Sequence, residues 1–343
     1  MHKYRAATLV VAIAFVTMRP ESLPTIASAQ SSPLPSAAAP QPVPPDGLRI
    51  TLLGTGGGPL VNLRQFGAST LVEAGGKRLL FDCGRGATIR LVEAGIPIGA
   101  VGRLFLTHLH SDHVTGVPDL WLTGWLPAPA LHAGGTADNR SPLWVRGPVG
   151  TNQLMAGLRQ AFGGDITMRT AQEHLPPLAT DVADIAPGIV FENAGVRVTA
   201  FAVDHGEFLK PAFGYRVDYQ GRSVVISGDT RYSEILIAHA SGADVIVHEV
   251  AMATAAIAGS PAAKEILSVH TSPREAGRIF ASTKPRLAVY THFAVAGGVG
   301  AAAPTIADFI EATRETYSGA LEAGEDLMTI TIGDTVVVER PRR

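Results

Sequence analysis

The chain has 343 residues, 46% of them hydrophobic and 17% charged, with a formal net charge of −2. That composition excludes a disordered or low-complexity protein and fits a globular chain with a large core, in one large domain or two modest ones. The mildly acidic balance gives no electrostatic footprint for nucleic acid, and a single cysteine, Cys83, excludes an internal disulfide.

In chain order, residues 1–29 read as an export signal. His2, Lys3 and Arg5 form a basic start, 6–18 an apolar run, and Ala27-Ser28-Ala29 a small-residue cleavage site. The competing reading is an uncleaved membrane anchor, which the shortness of the apolar run disfavours. Cleavage after Ala29 would remove Lys3, Arg5 and Arg19 against Glu21 and leave a net charge of −4. Residues 30–47, QSSPLPSAAAPQPVPPDG, are rich in Pro, Ala and Ser and read as an extended linker, so the folded domain is expected over 48–343.

Short β-type runs follow: LRITLLG at 48, STLVEAG at 69, KRLLFDCG at 77 and RLFLTH at 103, with a helix expected at 87–94. Cys83, inside LLFDCG, reads as a small buried residue. The GTGGG turn at 54–58 lacks the spacing of a dinucleotide-binding loop and reads as a tight backbone turn. The stretch 127–142 reads as a mobile loop on the active-site side. A second series of strands is expected at 196, 212, 222, 243 and 286, with helices near 233–241, 272–282 and 304–317. Two groups of strands interleaved with helices predict an α/β chain: two mixed β-sheets packed face to face with helices outside, an αββα sandwich.

The chemistry concentrates in FLTHLHSDHVTG, which places His108, His110, Asp112 and His113 directly after an apolar strand. His108 and His110 are two apart on an extended segment and point the same way, whereas Asp112 and His113 follow the turn and can face a second ion. His205, His248 and His292 also sit at strand ends, and Asp229 closes VVISGD. Strands of one sheet end along a common edge, so residues distant in sequence can meet there. Imidazole suits zinc and similar metals, and a carboxylate can bridge two ions.

HLHSDH resembles the H-x-H-x-D-H signature of the metallo-β-lactamase fold. The later motifs of that fold appear in order, with His205 in DHGEFLKPAFGYRV, Asp229 in SGDT, His248-Glu249 in VIVHEV, His270 in VHTSP and His292 in YTHF. The GYR, SGDT, HTS and THF blocks resemble the ribonuclease Z and arylsulfatase branch more than the lactamases. The resemblance implies one ion held by His108, His110 and His205, a second held by Asp112, His113 and His292, and Asp229 bridging both. Two zinc ions are the implied cofactor, with other divalent metals as alternatives. It further implies Asp112, His270 and Glu249 as catalytic residues, His270 as general acid or base with Glu249 as its partner, and Asp82 as a brace for the metal loop. Ser272, Pro273 and Glu275 are the N-cap, N1 and N3 of a helix that starts just after His270. His248 is expected to orient neighbours, and His132, His174 and His239 to be surface or loop residues.

Two adjacent ions lower the pKa of a water held between them and stabilise charge on an attacked ester, which is hydrolysis. The long arm with which ribonuclease Z grips tRNA lies between the third histidine motif and the bridging aspartate, and the short interval from His205 to Asp229 has no room for it. The expected function is therefore an exported dinuclear zinc hydrolase, periplasmic or secreted. Aryl sulfates are the first substrate expectation, phosphodiesters the second, and lactones or carboxylic esters the third; β-lactams are disfavoured. Trp121 and Trp125 either line an aryl pocket or pack in the core. A small-molecule ester is the expected partner, with no nucleic acid, no membrane after signal removal, and a homodimer as one option. The non-enzyme alternative is a metal-containing protein that binds a small anion.

Overall fold

His108 and His205 follow the ends of strands, whereas His248 and His292, expected at strand ends, lie inside the strands Val245–Ala253 and Leu287–Ala296. In the computed structural model the described residues are 43, 47–126, 142–298, 300 and 303–341, all within the larger of the chain's two units, Ala37–Arg343. The expected export signal lies outside the described residues, as do most of the linker at 30–47 and, with His132, most of the loop at 127–142.

The first sheet contains β1 (Leu48–Gly54), β2 (Ser69–Ala74), β3 (Lys77–Phe81), β4 (Arg103–Phe105), β5 (Leu143–Gly147) and β6 (Thr180–Asp184). The second contains β7 (Gly188–Asn193), β8 (Val196–Val203), β9 (Ala212–Tyr219), β10 (Arg222–Ile226), β11 (Val245–Ala253), β12 (Leu287–Ala296) and β13 (Leu321–Ala323). The chain then returns to the first sheet with β14 (Thr329–Ile332) and β15 (Val336–Glu339), giving the orders β15-β14-β1-β2-β3-β4-β5-β6 and β13-β12-β11-β10-β9-β8-β7. This is the expected pair of mixed sheets with outer helices, the metallo-β-lactamase fold. Among the described residues no helix is long and apolar enough to cross a membrane.

Three apolar layers follow from the strand periodicity. Alternate residues Leu48, Ile50 and Leu52 of β1 and Val245 and Val247 of β11 face the space between the sheets, together with Phe81, Phe105 and Tyr215. The Phe81 and Phe105 rings stack at 5.0 Å. The opposite residues of the same strands meet helices. Leu53, Leu71 and Leu104 pack with α1 (Ala87–Glu93) and α3 (Val117–Trp125), the latter preceded by the one-turn α2 (Ser111–Val114). After α4 (Thr151–Ala161) and α5 (Gly163–Gln172), the second sheet is covered by α6 (Glu234–Ala240), α7 (Pro261–Leu267), α8 (Pro273–Thr283) and α9 (Ile306–Arg314). Central strands buried on both faces read as continuous apolar runs, which is why β11 and β12 stand out in the sequence.

Trp121 and Trp125 are buried in the layer between α3 and the first sheet, and the Trp125 indole donates to the Pro176 carbonyl at 2.8 Å. They are core residues, so the aryl-pocket expectation does not hold for them. Cys83 is fully buried there too, and burial pushes its thiol up. His239 is half-buried on α6, its ring stacked on Phe201 at 4.5 Å, and His174 is exposed after α5.

Strand direction explains the site. β3 and β4 run parallel, β10, β11 and β12 run parallel, and β8 and β10 are both antiparallel to β9 and so share a direction. Asp82, His108, His205 and Asp229 all lie within three residues after the ends of β3, β4, β8 and β10. The carboxyl ends of parallel strands are where an α/β sheet leaves room for a site.

Candidate metal centre

Six of the seven expected ligands are buried side chains at this edge, and His110 alone is exposed. The helix α2 begins directly after His110, so the extended segment carries His108 and His110 while the helical turn carries Asp112 and His113 to the other side. His292 needs a different device. Glu249 pairs with Thr291 and Val250 with Phe293, which leaves His292 as an extra residue with φ 44°, a bulge that turns its ring into the site.

Two ligand groups result. His108, His110 and His205 form one, Asp112, His113 and His292 a second, and Asp229 stands between them. His110 Nδ1 is 3.0 Å from His108 Nε2 and 3.3 Å from His205 Nε2. His292 Nε2 is 3.2 Å from His113 Nε2 and 3.3 Å from Asp112 Oδ2. Asp229 Oδ2 lies 3.2 Å from His292 Nε2, 3.4 Å from His113, 3.7 Å from His205 and 3.9 Å from His108. Ligands bound about 2.0–2.2 Å from a tetrahedral ion stand roughly 3.3–3.6 Å apart, so these spacings suit two ions sharing Asp229.

The protons agree. His113 Nδ1 donates to Asp82 Oδ2 at 2.7 Å and His205 Nδ1 to the Val269 carbonyl at 2.9 Å. The Thr107 hydroxyl donates to Asp82 at 2.8 Å and so accepts from His108 Nδ1 at 3.0 Å. With Nδ1 protonated in each, all three rings aim Nε2 at the same space, and on His108 and His205, which stay neutral, it is a bare lone pair. Asp229 Oδ1 is buried with no protein hydrogen-bond partner among the described residues. Converging lone pairs around a buried carboxylate are costly without a cation, so the donor set fits a dinuclear metal site.

Burial lowers the His108, His110 and His205 pKa values, which keeps these rings neutral. Burial by itself would raise Asp112 and Asp229, but His292 and His113 outweigh it and hold both below the usual carboxylate range. His113 goes the other way. Burial would lower it, yet Asp229 and Asp82 outweigh that and keep it protonated, so metal loading must displace a proton there.

Asp82 braces the metal loop as expected, accepting from the Thr107 N–H at 2.8 Å as well as from Thr107 Oγ1 and His113. Its φ of 58° is unusual for a non-glycine residue and directs the carboxylate back under the loop. His270 Nδ1 is 3.2 Å from Glu249 Oε2, and its ring centroid lies 4.8 Å from His205 and 5.7 Å from His292. Glu249 Oε1 accepts from the Thr230 N–H at 3.1 Å and the Thr271 N–H at 3.0 Å. Burial would lower His270, but the Glu249 charge outweighs it and pushes the pKa up to about 9. Ser272 and Glu275 form the anticipated capping box of α8, immediately after this pair.

His248 is not at the site. It is fully buried against Phe280 on the helix-covered side and its Nδ1 donates to the Glu249 carbonyl at 2.6 Å, so it orients no metal ligand. Reading GTGGG only as a tight backbone turn missed its place against the metal ligands. A Cβ on Gly57 would stand 2.9 Å from His292 Nδ1 and 2.8 Å from the Ala294 nitrogen. Gly58, at φ 82°, donates its N–H to Asp112 Oδ2 at 3.0 Å. The clustered glycines were the available signal.

Residues 48–267 match the family model described as "Anti-Pycsar protein Apyc1". A ribonuclease Z of Mycobacterium sp. (strain KMS) is 33% identical over 297 residues, which span 85% of this chain and 99% of that protein. Among solved structures, the metallo-β-lactamase-fold protein YhfI from Bacillus subtilis superposes with a TM-score of 0.61 at 18% identity, covering 83% of this chain and 100% of YhfI. The short form of human tRNase Z gives 0.58 at 22% identity, covering 82% and 98%.

Proposed function

We propose, from the premise that the chain belongs to the Anti-Pycsar protein Apyc1 family and is a ribonuclease Z relative of metallo-β-lactamase fold, that this metal-dependent hydrolase cleaves small phosphodiesters. A cyclic nucleotide is the concrete candidate, supported by the family match. The observation that carries the reaction class is the pair of ligand groups sharing Asp229, with His270 beside them. Zinc is the proposed metal, from the histidine-rich donor set. Bound there, two ions would supply an activated water and neutralise charge on a phosphoryl group.

The chain's own residues do the rest. His108, His110 and His205 would hold one ion and Asp112, His113 and His292 the other, while Asp82 and Thr107 fix the ring orientations. Protonated His270, held by Glu249, has a proton to give to the departing ester oxygen. The buried ligands exclude bulk water, and the exposed His110 marks the open side.

Aryl sulfates give way as the first reading, because the family match and the ribonuclease Z relatives support a phosphodiester substrate better. A second reading, RNA 3′ processing, is favoured by the 33% identity to a mycobacterial ribonuclease Z. The missing arm does not exclude it. The 297-residue match takes in 99% of that relative, which leaves no room for a long arm there either. Export remains a proposal resting on residues 1–29, to be checked by the N-terminal sequence of the mature protein.

The test is a comparison of rates for the zinc-loaded and chelated chain on cyclic nucleotides, bis-p-nitrophenyl phosphate, p-nitrophenyl sulfate and a precursor tRNA. Chelator-sensitive turnover led by cyclic nucleotides supports the proposal. Dominant sulfate or tRNA cleavage overturns the substrate, and tight anion binding without turnover of any ester overturns the enzyme reading.

A further inference from the structure

Between β1 and β2 the chain leaves the sheet at Thr55 and returns at Phe66, and the loop between them runs over the metal centre. Gly57 packs against His292 and Gly58 donates to Asp112, so two of the three second-ion ligands touch this loop. The loop has no helix or strand of its own. The Phe293 N–H donates to the Thr55 carbonyl at 3.0 Å, and the side-chain contacts that hold both ends of the loop come from the far end of the chain.

Asp326, between β13 and β14, is 9% exposed. Its Oδ1 accepts from the Thr55 N–H at 2.9 Å and the Thr55 hydroxyl at 2.8 Å. Its Oδ2 accepts from the Phe66 N–H at 2.7 Å and from the Arg90 guanidinium at 3.1 Å. That guanidinium lies 4.3 Å above the Phe66 ring, and Gly56 N–H donates to the Phe66 carbonyl at 2.8 Å. One buried carboxylate therefore closes both ends of the loop. Its own segment is held without it, because Leu327 N–H donates to the Leu52 carbonyl at 2.6 Å and Leu52 N–H to the Met328 carbonyl at 3.0 Å.

We propose that Asp326 is a positioning residue for the second ion: by clamping Thr55 and Phe66 it keeps the Gly58 N–H on Asp112 and Gly57 against His292. This rests on the metal-centre reading and is independent of the substrate. Charge-assisted bonds from a carboxylate to backbone N–H groups are among the stronger fixed contacts a loop can have. A supporting group one step behind a metal ligand commonly changes metal affinity by roughly 10–100-fold.

Asp326→Asn keeps the shape, removes the charge facing Arg90 and sets an amide N–H against one of the donors. The full chain, wild type and variant, is titrated with zinc against a chelating indicator, and the visible spectrum is followed on cobalt addition. Amide exchange is measured in parallel. The expected result is that one of two zinc equivalents weakens by roughly 10–100-fold, the cobalt spectrum of that site changes, and exchange at 57–65 quickens while β1, β2 and β14 are unaltered. Thr55→Val, which removes one hydroxyl donor, should show the same pattern with a smaller change, and carries the test if the asparagine variant does not fold. If the variants bind both equivalents as the wild type does, or lose stability with no change selective for the loop and one ion, the proposal is overturned alone. If the wild type takes up no second ion, the metal-centre reading falls and the proposal with it.

Discussion

Replacing Glu249 with glutamine preserves shape and removes the charge that keeps a proton on His270. With Glu249 ionised, His270 is pushed up to about 9 although burial works against it; an unperturbed imidazole titrates near 6.5. The difference, roughly 2.5 units, is a factor of about 300 in proton affinity, or about 3 kcal/mol. In Glu249→Gln burial and the His113 charge oppose only the Asp229 charge, so His270 should titrate well below 9. The Thr230 and Thr271 N–H groups keep an acceptor if the new amide oxygen faces them, and the amide nitrogen then favours a deprotonated Nδ1. In the metal-free protein, NMR of the His270 ring reports the titration directly. Because the folded value lies above the unfolded one, the pair's stabilising contribution is fully present below about pH 6.5 and is lost as pH rises through 9. In the loaded enzyme the alkaline limb of kcat/KM should move to lower pH in the variant. An unchanged His270 titration, or an alkaline limb that stays in place, would refute the assigned pairing.

Asp229→Ala should remove the ligand common to both ions, so metal analysis should find less than two equivalents and phosphodiester turnover should fall by at least about 1,000-fold; retention of both ions would contradict a shared ligand. Asp82→Asn is expected to lower zinc affinity by roughly 10–100-fold in a chelator competition, since it unseats His113 and Thr107 while leaving every ligand in place. Tyr215→Phe leaves the Leu106 carbonyl, now bonded by the tyrosine hydroxyl at 2.6 Å, without that donor, and urea denaturation should show a loss of about 1–2 kcal/mol. Trp121→Ala should cost about 3–5 kcal/mol as a core cavity with KM unchanged at temperatures where it is folded. A raised KM with full stability would return that residue to the substrate pocket.

The strands and helices that the sequence announced were those with one strong period. β8 to β12 and α8 carry apolar runs or caps that act within a few residues, and they form where expected. Less was legible at 143–193, where β5, β6 and β7 are short and α4 and α5 have few buried residues, so no period is long enough to announce them. The closing strands β14 and β15 were missed for the same reason. His248 and Glu249 are neighbours in one motif, yet they point to opposite sides of β11, so His248 holds the Glu249 carbonyl from the helix-covered side while the Glu249 side chain reaches His270.

By itself the sequence determined the ligand types and, for HLHSDH and SGDT, their place just past strand ends, because each follows an apolar run whose length sets where the strand stops, whereas β12 runs on past THF to Ala296. The folded chain alone decided how those ends meet. The bulge that turns His292 inward depends on its register with β11, and the tryptophans became core because α3 lies on the first sheet. Asp326 reaches Thr55 across 271 positions, a contact that leaves no local period to read. Periodicity records which face of an element is apolar; only packing brings distant faces, and the polar groups between them, to one place.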